Sequence, residues 1–590
     1  MKRKHFAEED DLGKTYDLRL IGRFLSYLRP HWGPLAFTLA IIFLSIGVEL
    51  TAPFILRSAL DGPVASGDID ALWLYGAAFL GIAILTGLFE GLKHWASNLA
   101  GQRVVLDMRT ETFAHLQKMP AAFYDKNPVG RLLTRVTGDI ENLSELFTSG
   151  LIGIFSSTIY LAAILAVMFV LDRRLTLITL ASLPLVVASG AVFRKHARRT
   201  YRAARQAIAH ATAYLNECLG GMKTIQIFDR AEFCGREFNS RNSEYCERST
   251  MAAYIYSFFW PGIELISTMV VAMVLWQGGK GILAGTTTFG SFLAFWYLVR
   301  KFFEPIQELA EKYNILQAAM ASSERIFKLL DTSPSIQAPP EPISPPRKGS
   351  VAFENVSFSY DGKTPVLKNV SFRVEPGETI ALVGYTGAGK TSILNLLLRL
   401  YEADSGRILV DGVDVRDYDP QDLRRRFGMV FQDVLLFSGT VEENIRLGDE
   451  IPFARLERAA RLVNARRIID RLPEGWRSDL RERGSAVSTG ERQLLSFARA
   501  LVSDPPILVL DEATSSVDAE TEGLIQDAIS KSQEGRTAIV VAHRLSTVER
   551  ADRILVLHHG ELREEGTHEE LLKKRGLYEK LHRLQWQGAH

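Results

Sequence analysis

Residues 384–391 read Gly-Tyr-Thr-Gly-Ala-Gly-Lys-Thr and satisfy the pattern G-x-x-x-x-G-K-[ST]. Glycines in such a loop let backbone N–H groups approach phosphate oxygens closely. An apolar segment that predicts a strand, Ile380–Val383, precedes the loop, and an amphipathic segment that predicts a helix follows it. Because a helix N-terminus favours negative charge, the arrangement predicts a phosphate-binding loop for ATP. The residues expected to bind the nucleotide are Gly384, Tyr385, Thr386, Gly387, Ala388, Gly389, Lys390, Thr391 and Ser392.

A second candidate for chemistry is the segment Ile507–Glu512, which reads ILVLDE and predicts a buried strand ending in two acids. With the phosphate loop nearby, Asp511 is expected to bind Mg²⁺ together with Thr391, and Glu512 to orient and deprotonate the attacking water. By itself, a strand that ends in Asp-Glu is more often only structural. Its combination with the loop makes nucleotide hydrolysis the better interpretation.

The region from residue 350 onward has the pattern of an α/β P-loop NTPase domain. Alternating apolar residues predict strands at 351–360 and 370–374. Continuous apolar runs predict buried, parallel strands at 379–384, 507–512 and 537–543. A proline-rich, polar segment at 332–349 has the composition of a semi-rigid linker in front of this domain.

The first half of the chain predicts an all-α transmembrane domain. A helix needs roughly 20 apolar residues to cross a bilayer, and six runs of that kind occur. The third and fourth are separated only by a short turn at Asp172–Arg174, which fits a tight hairpin. The six predicted spans lie near 35–55, 72–92, 146–171, 175–194, 251–276 and 282–303.

Basic residues indicate how these helices are oriented. The long connections at about 93–145 and 195–250 are rich in Lys and Arg, whereas the short connections carry few. Since cytoplasmic loops carry the excess of basic residues, both long connections and both termini are expected in the cytoplasm. The start of the chain, KRKHFAEEDD after Met1, contains no apolar run with a cleavage site, so no cleaved signal peptide is expected.

The long connections have helical spacing, which predicts that the spanning helices continue into the cytosol. Short reversals are expected around Phe123–Arg131 and Asn216–Lys223, where Asn-Pro and Gly-Gly interrupt the pattern. Taken alone, these segments are best interpreted as solvated helical hairpins. The expected boundaries are a cytosolic tail at 1–19, the transmembrane domain at 20–331, the linker at 332–349 and the ATPase domain at 350–590.

Composition excludes several other classes of protein. The 69 Lys and Arg residues nearly balance the 68 Asp and Glu residues, and the net charge is +1. The overall charge therefore gives no indication of nucleic acid as a partner. Cys218, Cys234 and Cys246 match no zinc spacing and imply no disulfide framework.

Three acids, Glu49, Glu90 and Glu264, lie in or near apolar runs. Acids in such positions often mark a transport pathway or form a structural pair.

Val487-Ser488-Thr489-Gly490-Glu491, just ahead of the acidic strand, is similar to the L-S-G-G-Q signature of ABC ATPases. It departs from that pattern at Val487, Thr489 and Glu491. Ser488 and Gly490 match, and the resemblance implies that they face the γ-phosphate of ATP held by a partner subunit. ATP would then lie between the phosphate loop of one chain and the signature of another, so turnover would require a dimer.

Further positions resemble marks of the same family. Tyr360 matches an aromatic residue that stacks on adenine, and Gln432 matches a glutamine that contacts Mg²⁺ and water. Asp518 matches a loop that crosses to the partner, and His543 matches a histidine on the γ-phosphate. Alone, Tyr360 and His543 would be better interpreted as packed structural residues. Catalytic roles are thus expected for Glu512, His543 and Gln432, and Mg²⁺ ligation for Thr391, Gln432 and Asp511.

The membrane half resembles bacterial multidrug and lipid exporters, with FYDKNPVGRLLTRVTGDIE at 123–141 close to their first cytosolic loop. The resemblance implies a half-transporter of the bacterial inner membrane that exports or flips an amphiphilic drug or lipid by alternating access. The two cytosolic reversals would be helices that couple ATPase and membrane domains. A soluble ABC ATPase and an ATP-gated channel are disfavoured alternatives, and a peptide or lipid-linked sugar remains possible as cargo.

The altered signature, beside a complete set of hydrolytic residues, resembles one subunit of a heterodimeric exporter. Thr489 adds a branched side chain near the partner's phosphate, and Glu491 places a negative charge there. Both changes would impair the ATP site on the partner's phosphate loop and would leave the site on this chain's own phosphate loop unaffected. A second half-transporter is therefore the favoured partner, and a homodimer is the alternative.

Overall fold

The computed structural model describes residues 18–511, 519–542 and 545–584. The chain divides into two compact units. The membrane unit comprises Met1–Ala114 and Leu133–Asp331, and the ATPase unit comprises His115–Leu132 and Thr332–His590. The segment 115–132, predicted as part of the transmembrane domain at 20–331, therefore groups with the ATPase unit.

Residues up to Leu330 are largely helical. In chain order the α-helices are α1 Leu18–Leu28, α2 Trp32–Glu49, α3 Ala52–Ala59, α4 Ile69–Gln117, α5 Ala121–Lys126, α6 Val129–Thr134, α7 Ile140–Glu145, α8 Leu151–Leu171, α9 Arg173–Ala181, α10 Leu183–Gly220, α11 Met222–Ile227, α12 Ala231–Leu283 and α13 Phe289–Leu330. A 3₁₀ turn at Arg29–His31 and π-helical turns at Leu60–Val64, Arg135–Asp139 and Leu146–Gly150 connect several of them.

Among the described residues, five helical stretches are long and apolar enough to cross a membrane. They are Gly22–Val64, Ile69–Gln117, Val129–Leu171, Arg173–Phe193 and Ala231–Leu283, and they contain the first five predicted spans. The sixth predicted span, near 282–303, stays a prediction. Arg300, Lys301 and Glu304 follow closely behind its apolar part.

Short interruptions of the helix lie within three of the predicted spans. The run at 35–55 breaks after Glu49, where Pro53 opens α3, and the run at 175–194 breaks at Ser182, where Pro184 opens α10. Proline has no N–H to donate, so it favours the first turn of a new helix. The run at 282–303 is interrupted after Leu283, and Thr288 caps α13 by accepting a hydrogen bond from the Ser291 N–H.

Polar contacts join helices within the membrane unit. The buried carboxylate of Asp139 accepts hydrogen bonds from Ser322 Oγ (2.9 Å) and Arg325 Nε (3.0 Å). The Glu49 carboxylate accepts one from Tyr160 Oη at 2.7 Å and lies 3.3 Å from Lys301 Nζ. Since a charge away from water is costly when unpaired, these contacts favour the structural interpretation of Glu49.

The other two acids within or near apolar runs have different surroundings. The Glu90 carboxylate lies 2.6 Å from Lys93 Nζ, three residues along the same helix. Glu264 is exposed on α12.

The ATPase unit contains all the strands found among the described residues, with helices between them. The strands are β1 Val351–Phe358, β2 Leu367–Val374, β3 Thr379–Val383, β4 Ser405–Val410, β5 Val413–Asp414, β6 Phe427–Val430, β7 Ile507–Asp511, β8 Thr537–Val541, β9 Arg553–His558 and β10 Glu561–Gly566. The helices are α14 Lys390–Leu397, α15 Pro420–Arg424, α16 Val441–Arg446, α17 Phe453–Leu462, α18 Ala465–Arg471, α19 Thr489–Leu501, α20 Ala519–Gln533, α21 Leu545–Glu549, α22 His568–Lys574 and α23 Leu577–His582.

Two sheets organise this unit. One has the order β2-β1-β4-β5 and is antiparallel, and the other has the order β10-β9-β3-β8-β7-β6. In the second sheet, β9, β3, β8, β7 and β6 run parallel. Leu382 of β3 and Asp511 of β7 both pair with Val541 of β8, so these strands end at one edge. The predicted parallel, buried strands of a P-loop NTPase are thereby confirmed.

The proline-rich segment that follows α13 is tied to the ATPase unit. Ile343 N–H donates to the Asp417 carbonyl at 2.9 Å, and Ser344 Oγ donates to Asp422 at 2.8 Å. The buried guanidinium of Arg426 donates to the Pro345 carbonyl at 2.7 Å. These contacts hold the end of the segment beside β6.

Candidate nucleotide site

The phosphate loop connects β3 to α14 and depends on its glycines. Gly387 (φ +83°) and Gly389 (φ +105°) adopt backbone conformations that are strained for residues with a Cβ. A Cβ on Gly389 would lie 2.6 Å from Leu367 Cδ2, and one on Gly384 would lie 2.4 Å from the Leu557 carbonyl oxygen. The close approach of the backbone therefore requires glycine at both ends of the loop.

Lys390 is the first residue of α14, and its ammonium lies within the loop. Nζ donates hydrogen bonds to the carbonyls of Gly384 (2.6 Å) and Tyr385 (3.2 Å), and the residue is only 7% exposed. Burial lowers the pKa of Lys390, and the nearby Asp511 carboxylate opposes that shift. The loop thus holds a desolvated cation that a phosphate group would stabilise strongly.

The oxygen atoms expected to hold Mg²⁺ come from neighbouring elements. Thr391 lies in the first turn of α14, and Asp511 is the last residue of β7. Gln432 follows β6 by two residues, and β6 pairs with β7 through Val430 and Leu510. Hydroxyl, carboxylate and amide oxygens suit Mg²⁺, and the electrostatic effect of Asp511 on Lys390 is consistent with an acid beside the phosphate loop.

Tyr360 is fixed against the helix that follows the loop. Its hydroxyl lies 3.0 Å from Ser392 Oγ and accepts a hydrogen bond from Asn395 Nδ2 at 3.2 Å. The ring packs edge-on against Phe358 (4.8 Å between centroids) and Tyr401 (5.1 Å), yet the residue is 43% exposed. An aromatic face held in this way can stack on a purine base.

Tyr401 was not identified from the sequence. Its ring contacts Tyr360, and its hydroxyl donates a hydrogen bond to the carboxylate of Asp125 in α5. Burial and the neighbouring Asp125 carboxylate raise the pKa of the Tyr401 hydroxyl, so it remains a donor at neutral pH. Asp125 and Tyr360 are remote in sequence, so no local pattern relates them to Tyr401.

The signature residues form the N-terminal cap of α19. Ser488 Oγ accepts a hydrogen bond from the Glu491 N–H at 3.3 Å, and the Glu491 carboxylate accepts one from the Ser488 N–H at 2.8 Å. Thr489 Oγ accepts one from Arg492 Nη2 at 3.0 Å, and Gly490 is buried. Glu491 therefore completes a capping box. The S-x-x-E spacing of residues 488–491 is a sequence signal for this motif.

Comparisons with known proteins agree with this geometry. Residues 35–306 match the family described as the ABC transporter transmembrane region, and residues 367–515 match the family described as ABC transporter. The chain is 37% identical over 595 residues to the uncharacterized ABC transporter ATP-binding protein YknV of Bacillus subtilis (strain 168), covering 100% of this chain and 98% of that protein. The chain belongs to the ABC transporter family.

Two further similarities extend over nearly the whole ABC transporter chain. It is 33% identical to the ATP-dependent lipid A-core flippase of Syntrophus aciditrophicus (strain SB), over 96% of this chain and 94% of that protein. A solved structure of a bacterial Atm1-family ABC exporter with ATP bound is 27% identical and superposes with a TM-score of 0.80, over 94% of this chain and 98% of the other. The predicted fold class, a helical transmembrane domain fused to an ABC ATPase domain, is confirmed.

This ABC transporter binds ATP and couples its hydrolysis to transport, and half-transporters of this exporter architecture work as dimers. Three predicted residues, Glu512, Asp518 and His543, lie outside the described residues. Their roles stay predictions. The strands β7 and β8, which lead to Glu512 and His543, end at the same edge of the sheet as β3.

Proposed function

We propose that this ABC transporter exports or flips an amphiphilic, lipid-like or drug-like compound across the cytoplasmic membrane of a bacterium. The observation that carries the proposal is that one chain contains both membrane-crossing helices and a complete phosphate loop. Similarity to a lipid A-core flippase supports a lipid-like cargo. The excess of basic residues in the long connections supports a cytoplasmic location for the ATPase unit.

In the proposed cycle, the residues of this chain position ATP and its attacking water. Backbone N–H groups of residues 384–391 and the Lys390 ammonium hold the phosphates, and Tyr360 stacks on adenine. Glu512 accepts the proton of the attacking water, while His543 and Gln432 orient the γ-phosphate and the water. When bound by Thr391, Gln432 and Asp511, Mg²⁺ would neutralise phosphate charge.

The cytosolic reversals carry the motion of the ATPase domains to the membrane helices in this proposal. One reversal contains α5, which groups with the ATPase unit and is joined to it by the Asp125–Tyr401 hydrogen bond. The other contains α11. ATP binding closes the dimer, the cavity opens outward, and hydrolysis resets it.

The test is transport by purified protein in proteoliposomes. ATP-dependent movement of a fluorescent phospholipid between leaflets, together with stimulation of ATP hydrolysis by amphiphiles, is the expected result. Lys390→Ala is the control that should abolish both activities. A solute leak that opens on ATP binding and persists without hydrolysis would instead identify a gated channel. Hydrolysis unaffected by every amphiphile, without movement of the lipid, would contradict the proposed function.

We further propose that the physiological partner is a different half-transporter. The Ser488 N–H donates to the Glu491 carboxylate and the Glu491 N–H donates to Ser488 Oγ, so two backbone donors are already engaged before the γ-phosphate of a partner's ATP approaches. The Glu491 carboxylate also places negative charge where that phosphate would approach. The site built on Lys390, Thr391, Asp511 and Glu512 carries the full set of residue types for hydrolysis.

Expression of this chain alone tests that pairing. The expected homodimer hydrolyses ATP at least tenfold more slowly than the chain co-expressed with a half-transporter encoded beside it. A homodimer that hydrolyses ATP and transports as fast as any mixed dimer would contradict the heterodimer. It would leave the exporter function itself intact.

A further inference from the structure

A second cluster of metal-ligating side chains lies in the ATPase unit, at the ends of three short helices. Glu549 is the last residue of α21, His568 is the first of α22, and His582 is the last of α23. One ligand atom from each lies within 4.8 Å of the other two. Glu549 is exposed, His568 partly buried and His582 buried, so the cluster reaches the surface at Glu549.

His568 is oriented by a buried phenol. Its Nδ1 lies 2.7 Å from Tyr578 Oη, and its Nε2 lies 3.8 Å from a carboxylate oxygen of Glu549. In the tautomer with the proton on Nδ1, that N–H donates to the Tyr578 oxygen, and Nε2 carries the lone pair that a metal ion requires. Metal-binding histidines are commonly held by such a hydrogen bond on the other ring nitrogen.

We propose that Glu549, His568 and His582 bind one divalent transition-metal ion, of which Zn²⁺ is the best match. Two imidazoles and a carboxylate are a common zinc ligand set, with water in the fourth position. Bonds of about 2.0–2.2 Å in a tetrahedron require ligand atoms roughly 3.3–3.6 Å apart. The 3.8 Å between His568 and Glu549 is close to this spacing, and the Glu549 side chain is 46% exposed, so it has room to rotate.

The chemistry of this site differs from that of the nucleotide site. Imidazole ligands favour Zn²⁺, Cu²⁺ and Ni²⁺, whereas Mg²⁺ prefers oxygen ligands throughout. An ion held here would join α21 to the two C-terminal helices. α21 begins two residues after His543, so the ion would restrain the segment that follows this predicted γ-phosphate contact.

The test is Co²⁺ binding to the purified, untagged, full-length chain after removal of metals. Wild-type protein should bind one Co²⁺ with the intense visible absorption typical of tetrahedral cobalt, and Zn²⁺ but not Mg²⁺ should displace it. Glu549→Gln and His582→Gln should each weaken Co²⁺ binding at least tenfold. Zn²⁺ should also raise the unfolding temperature of the wild type, since a ligand that binds only the folded state stabilises it.

His559→Asn is the matched control. His559 is an exposed histidine of the same unit with φ +50°, a conformation that asparagine tolerates. This variant should bind Co²⁺ like the wild type. Since His582 is buried and its replacement could impair folding, Glu549→Gln at an exposed position decides the outcome. Equal Co²⁺ affinity in Glu549→Gln, the control and the wild type would overturn the proposal, as would the absence of Co²⁺ binding by the wild type.

Discussion

The hydroxyl of Tyr401 donates a hydrogen bond to the carboxylate of Asp125, which lies in α5, between α4 and α6. The Tyr401 ring packs edge-on against Tyr360, whose own hydroxyl lies 3.0 Å from Ser392 Oγ in the helix that follows the phosphate loop. Asp125, Tyr401 and Tyr360 therefore form a continuous set of contacts. They join a predicted coupling segment to the predicted adenine-binding residue.

Tyr401→Phe is expected to uncouple transport from ATP hydrolysis. Phenylalanine retains the ring contact with Tyr360 but deletes the hydrogen bond to Asp125, which is worth about 1 kcal/mol at an exposed position. Basal hydrolysis should stay within about twofold of the wild type, while amphiphile stimulation and transport fall severalfold. The measurement is ATPase activity and lipid movement in the same proteoliposomes.

Asp125→Ala should reproduce that effect if the hydrogen bond is its cause. The double variant should be no worse than either single variant, because one interaction is removed in all three. Fully additive losses, or loss of ATP binding in Tyr401→Phe, would show that the hydrogen bond does not carry the coupling.

Lys390→Ala should weaken nucleotide binding itself. The substitution removes the charge that pairs with the β- and γ-phosphates, and charge-assisted contacts of this kind are worth roughly 1.5–3 kcal/mol. A loss of about 10- to 100-fold in affinity for a fluorescent ATP analogue is expected, measured by titration. Lys531→Ala, which removes a surface ion pair with Asp527, is the control and should bind normally. Unchanged affinity in Lys390→Ala would contradict the proposed role of the loop.

Glu512→Gln should separate binding from hydrolysis. Glutamine preserves the size of the side chain but accepts no proton, so ATP affinity should be retained while turnover falls by two or more orders of magnitude. The measurement is single-turnover hydrolysis alongside nucleotide affinity, in a dimer whose second subunit is wild type. Near-normal hydrolysis would remove Glu512 from the role of base.

Glu491→Gln should speed ATP hydrolysis at the site that the signature residues complete, which is the ATP site of the partner subunit. Glutamine can replace glutamate in a capping box, so the start of α19 should be retained while its negative charge is lost. We expect severalfold faster hydrolysis in homodimers, with the unfolding temperature nearly unchanged. Glu442→Gln, on the separate helix α16, is the control for a general effect of charge. Equal rates in wild type and Glu491→Gln would show that the carboxylate does not limit turnover.

The phosphate loop and the strands around it could be predicted because their signals are local. Gly384, Gly389 and Lys390 occur at a spacing that the chemistry of phosphate binding requires, and apolar runs mark β3, β7 and β8 directly. Hydropathy located the membrane-crossing stretches for the same reason. It missed the breaks at Ser182 and after Leu283, because a helix can end without any change in average hydropathy.

Only the tertiary structure brings Asp125 to Tyr401, Tyr401 to Tyr360, and Glu549 to His568 and His582. These residues come from elements whose proximity depends on strand order and on how connecting segments fold back. No spacing along the chain encodes such contacts. The residue types of the nucleotide site were thus evident from the sequence by itself, whereas its aromatic support and the second metal-ligating cluster were decided by long-range packing.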